Sequence, residues 1–228
     1  WYVQETGEGG FILAGYRTGS LGELADAWLI RIDEEGEILW SAIYGGEDDD
    51  WLFSVQEAQG GYILAGSTGS YGAGDYDYWL MKVDEEGRIL WNRTYGGPGR
   101  EIAWEVTRTR DGGYILIGGT TSYGAGEWDV WLLKTDGEGE PQWNETYGGG
   151  GRDRGWSLQQ TRDGGYILVG YTTPTGERHW DMLLIKLAPK GMRPPMRWII
   201  YTSLAALSAA SITLFTLYRR RGTSIRAR

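Results

Sequence analysis

Acidic side chains are the residues of this sequence that could most readily do chemistry. One aspartate per repeat (Asp26, Asp77, Asp129 and Asp181) stands just before an apolar segment. Carboxylates can hold a metal or act as general acids, but an aspartate at the start of a strand also accepts hydrogen bonds from backbone N–H groups. Because all four copies are alike, we interpret these aspartates as turn residues.

The run Glu47-Asp48-Asp49-Asp50 is an acidic cluster that is not copied in every repeat. Oxygen-rich loops can bind calcium, so these four residues are a weak calcium candidate. Their spacing matches no dedicated calcium loop, and adjacent acids rarely converge on one ion. We therefore favour a solvated loop and expect neither a metal nor a cofactor.

Nucleophilic catalysis has little support in the sequence. His179 is the single histidine and the chain has no cysteine, which argues against Ser-His-Asp and Cys-His sites. The glycine clusters YGGPG and YGGGG are not followed by Gly-Lys-Ser/Thr, so they are not phosphate loops. The 31 acidic residues leave a carboxylate-based glycosidase open as an alternative.

The elements that must position these residues come from an internal repeat. GGFILAG, GGYILAG, GGYILIG and GGYILVG begin at Gly9, Gly60, Gly112 and Gly164, at intervals of 51, 52 and 52 residues. Each repeat also contains an inner segment such as WSLQQT, a third segment such as DVWLLKTD and, in three repeats, an outer segment such as ILWNRTYGG. Short apolar segments between glycine turns are typical of β-strands.

Four strands in about fifty residues predict one blade of a β-propeller. We therefore expect an all-β fold over residues 1–187, with four-stranded antiparallel blades at about 1–52, 53–103, 104–155 and 156–187. The fourth repeat ends after its third strand at Leu187. Its outer strand should be absent or supplied from elsewhere.

The pattern DGGYILVGYT, then D-x-W-L-x-K-x-D-x-x-G-x-x-x-W, then TYGG resembles secreted or surface β-propeller repeat proteins of bacteria and archaea. This resemblance covers residues 1–187 and implies a propeller fold and a cell-surface location. The hairpin KVDEEGRILW is also similar to the repeats of quinoprotein propellers. We find no calcium or quinone ligands that would extend this local similarity to a dehydrogenase.

The C-terminal region differs from the repeats in charge and hydropathy. Residues 1–196 carry 31 acidic and 16 basic residues, whereas 197–228 carry six arginines and no acid. The acidic body argues against nucleic-acid binding. Trp198 to Tyr218 is an uncharged stretch long enough to cross a bilayer as a helix. It follows a proline-containing linker at 188–197 and precedes the basic tail 219–228, which predicts a single span with the repeats outside and a cytoplasmic C-terminus.

Two further sets of residues point to an extracellular surface. Asn92 and Asn144 lie in Asn-x-Thr sequons on outer strands and are candidate glycosylation sites. The DEEG turns (Asp33 to Gly36 and Asp84 to Gly87) join the third strand to the outer strand. The loops on the opposite face form a second candidate surface. Their aromatic and basic side chains predict a ligand-binding face, made of Tyr71, Tyr123, Arg100, Arg152 and His179.

The function that these features favour is a membrane-anchored, extracellular binding or scaffold module, which would be a glycoprotein. Its partner would be a protein, a glycan or an envelope component. The alternatives are an extracellular propeller enzyme, as a glycosidase or a quinoprotein, and a purely structural envelope protein. Near-identical repeats favour binding over catalysis, because a catalytic centre needs some blades to differ from the others.

Overall fold

The fold is built from β-strands joined by tight turns. A computed structural model describes residues 1–18, 24–173, 176 and 179–189, together with the backbone of 198–202 and 213–215. No helix occurs in this described part of the chain, and it contains no helix that could span a membrane. The prediction of an all-β fold over 1–187 is confirmed for the described residues of that range.

Four antiparallel sheets follow one another along the chain, and each is formed by strands that are consecutive in sequence. The first sheet contains β1 (Tyr2–Glu5), β2 (Phe11–Thr18), β3 (Ala25–Ile32) and β4 (Ile38–Tyr44). The second contains β5 (Asp50–Ala58), β6 (Gly61–Thr68), β7 (Asp77–Val83) and β8 (Ile89–Tyr95). The third contains β9 (Glu101–Arg108), β10 (Tyr114–Thr120), β11 (Asp129–Thr135) and β12 (Pro141–Tyr147). The fourth contains β13 (Arg152–Gln160), β14 (Tyr166–Thr173), β15 (Asp181–Leu187), β16 (Trp198–Thr202) and β17 (Thr213–Phe215).

The inner strands begin earlier than the repeat pattern predicts. The expected starts of the second to fourth blades were Phe53, Trp104 and Trp156, whereas β5, β9 and β13 start at an acidic or basic residue three or four positions before these. Polar residues do not suggest a strand start in the sequence. Here Asp50 and Glu101 belong to the strand because a backbone N–H group and a hydroxyl donate to each of them. In β13 the residue held by a backbone N–H group is Asp153, next to Arg152.

Sequence repetition is matched by repeated turn chemistry. In the third-to-outer turns, the backbone N–H groups of Gly36, Gly87 and Gly139 donate to the aspartate three residues earlier, and each glycine has a positive φ. The basic residue of the third strand stabilises the turn between the inner and the second strand. For example, Lys134 Nζ is buried and lies 2.7 Å from the Thr135 carbonyl oxygen and 3.0 Å from Asp111.

Successive sheets pack face to face through one repeated interface. The forward face of one sheet, such as Ile63, Ala65, Tyr78 and Leu80 of the second, packs against the backward face of the next in a single apolar cluster. Across this interface, Tyr78 Oη donates to the carbonyl oxygen of Trp131 at 2.9 Å, and the two rings are 4.6 Å apart. Equivalent clusters join the first sheet to the second and the third to the fourth.

Outer strands reinforce this contact by a second repeated device. Tyr44 Oη donates to the carbonyl oxygen of Gly87 at 2.7 Å, and Tyr95 Oη donates to that of Gly139 at 2.5 Å. A tryptophan of the same outer strand packs on the tyrosine that begins the next sheet's second strand, with ring centroids about 6 Å apart, in the pairs Trp40–Tyr62, Trp91–Tyr114 and Trp143–Tyr166.

The fourth sheet takes its outer strand from downstream. β16 pairs antiparallel with β15, and Trp198 lies opposite Lys186. In the third sheet, the outer-strand Trp143 lies opposite Lys134 in the same way. The edge of β15 would otherwise expose unpaired backbone groups, and the β-branched, apolar sequence WIIYT suits a strand. This pairing differs from the helix predicted for 198–218, whose residues 203–212 and 216–218 lie outside the described part, as do the linker residues 190–197 and the tail 219–228.

Candidate functional site

Aromatic rings line the inner strands in a continuous series. Three of them share one position in successive sheets, namely Phe53, Trp104 and Trp156. The ring centroids of Phe53 and Trp104 are 4.6 Å apart, and those of Trp104 and Trp156 are 4.8 Å apart and stacked. We call the following set the inner-strand aromatic series: Trp51, Phe53, Tyr76, Trp104, Trp156, Tyr171 and Trp180.

A β-bulge places each of the three equivalent rings. The register between inner and second strand shifts around Phe53, Trp104 and Trp156. A bulge leaves one extra residue unpaired and turns its side chain relative to the strand. Opposite each bulge stands the last glycine of the GGYIL-x-G motif: a Cβ at Gly118 would lie 1.8 Å from the carbonyl oxygen of Ile102. The motif glycine and the aromatic ring are thus two parts of one local geometry.

The series runs from the second sheet to the fourth. At one end, Phe53 leads to Trp51 and then to Tyr76, with the last two ring centroids 4.8 Å apart. At the other end, Tyr171 and Trp180 stack at 4.7 Å. Trp156 and Trp180 are 45% and 66% exposed, and the other rings are half-buried, so the series presents an accessible apolar surface.

One guanidinium group lies against this series, and another lies against Trp128, which precedes β11 as Tyr76 precedes β7. The Arg100 side chain lies over the Tyr76 ring at 5.7 Å, and Arg154 lies over Trp128 at 4.0 Å. Arg154 Nε is buried without a hydrogen-bond partner, and desolvation lowers the pKa of this side chain. Cations on aromatic faces next to exposed rings are typical of recognition surfaces.

Pairs of buried carboxylates lie between successive sheets, at the edge that carries the second-to-third loops. Asp77 Oδ1 and Glu101 Oε2 lie 1.5 and 2.6 Å from where a Cβ at Gly96 would be, so the two oxygens face each other across this glycine. Asp129 and Asp153 face each other across Gly148 in the same way. Both members of each pair are almost fully buried.

These pairs hold the loops that surround them. Asp77 Oδ2 accepts hydrogen bonds from the backbone N–H groups of Ala73 and Gly74, and Asp129 Oδ2 accepts the equivalent pair from Ala125 and Gly126. Asp77 Oδ1 has no partner. Burial raises the pKa of the Asp77 carboxyl, and the nearby Glu101 charge adds to the rise. The buried position of these carboxylates and their backbone donors suit loop support.

Each of the predicted ligand-binding side chains has a partner within the protein. Tyr71 Oη donates to the carbonyl oxygen of Gly45, and Tyr123 Oη donates to that of Gly96, both at 2.7 Å. Arg100 and Arg152 form exposed ion pairs with the acids of the preceding loops, at 3.0 and 2.6 Å. His179 is exposed, with Nε2 4.0 Å from Asp181 Oδ2.

The acidic run does not converge on one point. Asp50 is buried and accepts hydrogen bonds from Gly46 N and Ser70 Oγ, whereas Asp49 accepts one from Ala25 N at the start of β3. Glu47 and Asp48 are exposed. Among the described residues, no three acidic or histidine side chains are grouped as a metal site would require.

The two sequon asparagines occupy equivalent places on the outer strands. Asn92 is exposed, while Asn144 is half-buried and its Oδ1 lies 3.4 Å from Trp131 Nε1. A glycan at Asn92 would extend directly into solvent. The same modification at Asn144 would require this contact to open.

No protein-family model matches the chain, and no curated protein does.

Proposed function

We propose that the four sheets are blades of a β-propeller that acts as an extracellular binding module. Sequential four-stranded antiparallel sheets, each packed face to face on the next, support the propeller arrangement. In that arrangement the inner strands line the axis, so the inner-strand aromatic series would form an arc around the axis.

The inner-strand aromatic series is the observation that carries the binding proposal. Large aromatic surfaces beside arginine are costly to leave in water unless they bind something. Rings at successive inner strands suit an extended ligand with repeated apolar faces, and the C–H faces of sugar rings have this property. The partner we infer is therefore a glycan, and a protein with an aromatic-binding surface is the second candidate.

Binding is favoured over catalysis by where the acids lie. The clustered carboxylates between the sheets are buried and serve as backbone acceptors. The rings, in contrast, are accessible. We therefore propose a module without enzymatic activity.

Alanine at the centre of the series should remove binding. We expect Trp104→Ala to weaken the binding of soluble β-glucan or chitin oligosaccharides about tenfold or more, because a central tryptophan dominates such contacts. Isothermal titration on the full chain in a nonionic detergent measures this affinity. Trp91→Ala, which removes an outer-strand tryptophan of the second sheet, is the matched control and should leave affinity unchanged. Equal losses in both variants, or full affinity in Trp104→Ala, would contradict the proposal.

We also propose that residues 198–218 anchor the module in a membrane with the repeats outside. The support is the uncharged 21-residue stretch followed at once by Arg219, Arg220 and Arg221. This conformation and the β16 strand use the same residues, so each excludes the other. In a bilayer the helix satisfies its own backbone groups, which a single strand cannot do.

Protease treatment distinguishes the two sides of the membrane. Protease added to intact cells that express the chain should digest the repeats and leave a short protected fragment that begins near Arg197. A C-terminal epitope tag on this fragment makes it visible, and permeabilised cells are the control in which the tag is also lost. Protected repeats with a digested tail would reverse the topology.

A further inference from the structure

Within the described part of the chain, the first and fourth sheets leave uncovered the two halves of an interface that the interior uses three times. In the second and third sheets, forward-face residues such as Tyr78 and Val130 are fully buried by the following sheet. The equivalent forward-face residues of the fourth sheet are partly or largely exposed, with Met182 56% exposed, and they are Ile167, Val169, Met182 and Leu184.

The first sheet shows the complementary half. In the third sheet, backward-face residues such as Leu116, Trp131 and Leu133 are buried against the second. The equivalent residues of the first sheet are exposed or half-buried, and they are Phe11, Leu13, Trp28 and Ile30. Both surfaces are apolar. Inside the chain a forward face packs on a backward face, so each of these two surfaces is of the kind that would cover the other.

We propose that a second copy of this chain fills both faces, so that two chains pack head to tail into one ring of eight blades. The forward face of each fourth sheet would contact the backward face of the other chain's first sheet. The argument is continuity with an interface already present three times within the chain. Eight blades lie within the range that propellers adopt, and two equivalent head-to-tail contacts close the ring with twofold symmetry.

The internal interface tells which residues would meet. Tyr78 and Trp131 contact each other across the second and third sheets. By the repeat spacing, Met182 is equivalent to Tyr78 and Trp28 is equivalent to Trp131. Met182 of one chain would therefore lie against Trp28 of the other.

The closed ring would also extend the inner-strand aromatic series. Trp156, Tyr171 and Trp180 stand at its fourth-sheet end, and Trp1 stacks on Tyr16 beside β1 at 5.9 Å. Head-to-tail packing brings these two groups to the same junction, where they would join the series of one chain to that of the next.

Mass measurement with paired variants tests the ring. In nonionic detergent, light scattering coupled to size exclusion should give the full chain a protein mass of two copies. Met182→Glu or Trp28→Glu alone should give one copy, because each places a charge in both junctions. A mixture of the two variants should regain two copies held by one junction, since Trp28→Glu supplies an intact forward face and Met182→Glu supplies an intact backward face, while the second junction, which combines both charges, stays open.

Controls separate loss of pairing from loss of folding and of ligand binding. Leu90→Glu, at an exposed apolar position on an outer strand, should remain two copies, and unchanged circular dichroism should show that each variant is folded. A single-copy wild type, a mixture that stays single, or an assembly larger than two chains would overturn the proposal. The Trp104→Ala variant should still pair, so failure of glycan binding and failure of pairing are read separately.

Discussion

Gly118→Ala should destabilise the fold by about 3 kcal/mol, whereas Gly119→Ala, one residue away, should cost less than about 1 kcal/mol. The Cβ at position 118 would lie 1.8 Å from the carbonyl oxygen of Ile102. This oxygen belongs to the bulged backbone, so it cannot move away by a side-chain rotation. At position 119 the nearest atoms, 3.0 and 3.3 Å away, belong to the side chains of Trp128 and Arg154, which can move.

Urea unfolding followed by tryptophan fluorescence measures both free energies. Gly66→Ala and Gly170→Ala repeat the test in the second and fourth sheets, where the same Cβ would meet the carbonyl oxygens of Trp51 and Arg154 at 1.8 and 1.9 Å. If the variants at 118 and 119 lose equal stability, the bulge is not the reason for this glycine. A loss confined to 118, 66 and 170 assigns the motif glycine to the bulge.

Asp77→Asn should stabilise the protein at pH 7 by about 1–2 kcal/mol, and Asp77→Ala should destabilise it by about 1–3 kcal/mol. An amide nitrogen in place of Oδ1 can donate to Glu101 Oε2, while the remaining oxygen still accepts from Ala73 and Gly74. Alanine removes that acceptor and leaves two backbone donors without their partner.

The sign of the pH dependence follows from the raised pKa of Asp77. Its ordinary value is 3.8, and burial beside Glu101 raises it in the folded state. Protonation therefore favours folding: this contribution is fully present below pH 3.8 and is lost as the pH rises through the raised pKa. The advantage of asparagine should be largest at neutral pH and should shrink as the pH falls toward 3.8.

Thermal unfolding of wild type and Asp77→Asn between pH 4 and 8 measures this trend. Asp75→Asn is the control, because Asp75 is an exposed partner of Arg100 and should change stability by less than about 0.5 kcal/mol. An Asp77→Asn variant that is less stable than wild type at pH 7 would show that the carboxylates of Asp77 and Glu101 do not repel each other.

The sequence predicts the strands well because the repeat supplies four copies of each signal. Glycines at Gly36, Gly87 and Gly139 and the alternation of the third strand fix turns and faces in every copy. The starts of the inner strands were predicted too late, because Asp50, Glu101 and Arg152 are polar, and the burial of Asp50 and Glu101 depends on contacts with neighbouring loops.

The candidate site was less predictable than the strands. Tyr71 and Tyr123 have the composition of a binding surface, yet their hydroxyls hold carbonyls of the preceding sheet. The inner-strand aromatic series was missed, although Phe53, Trp104 and Trp156 recur at one position. A bulge breaks the two-residue alternation of a strand, so this alternation does not show where the rings point. The outer strand of the fourth sheet was missed because WIIYT belongs to an uncharged stretch of membrane-spanning length.

Packing between neighbours in sequence has a consequence for how the molecule opens. Each of the two middle sheets is covered on both faces, while the first and fourth are covered on one. In a single chain, which is such a linear array, stability is close to a sum of repeat terms and nearest-neighbour terms, so unfolding proceeds from the ends. Backbone amides of β6 and β10 are then the slowest to exchange with solvent, and those of β2 and β14 open first.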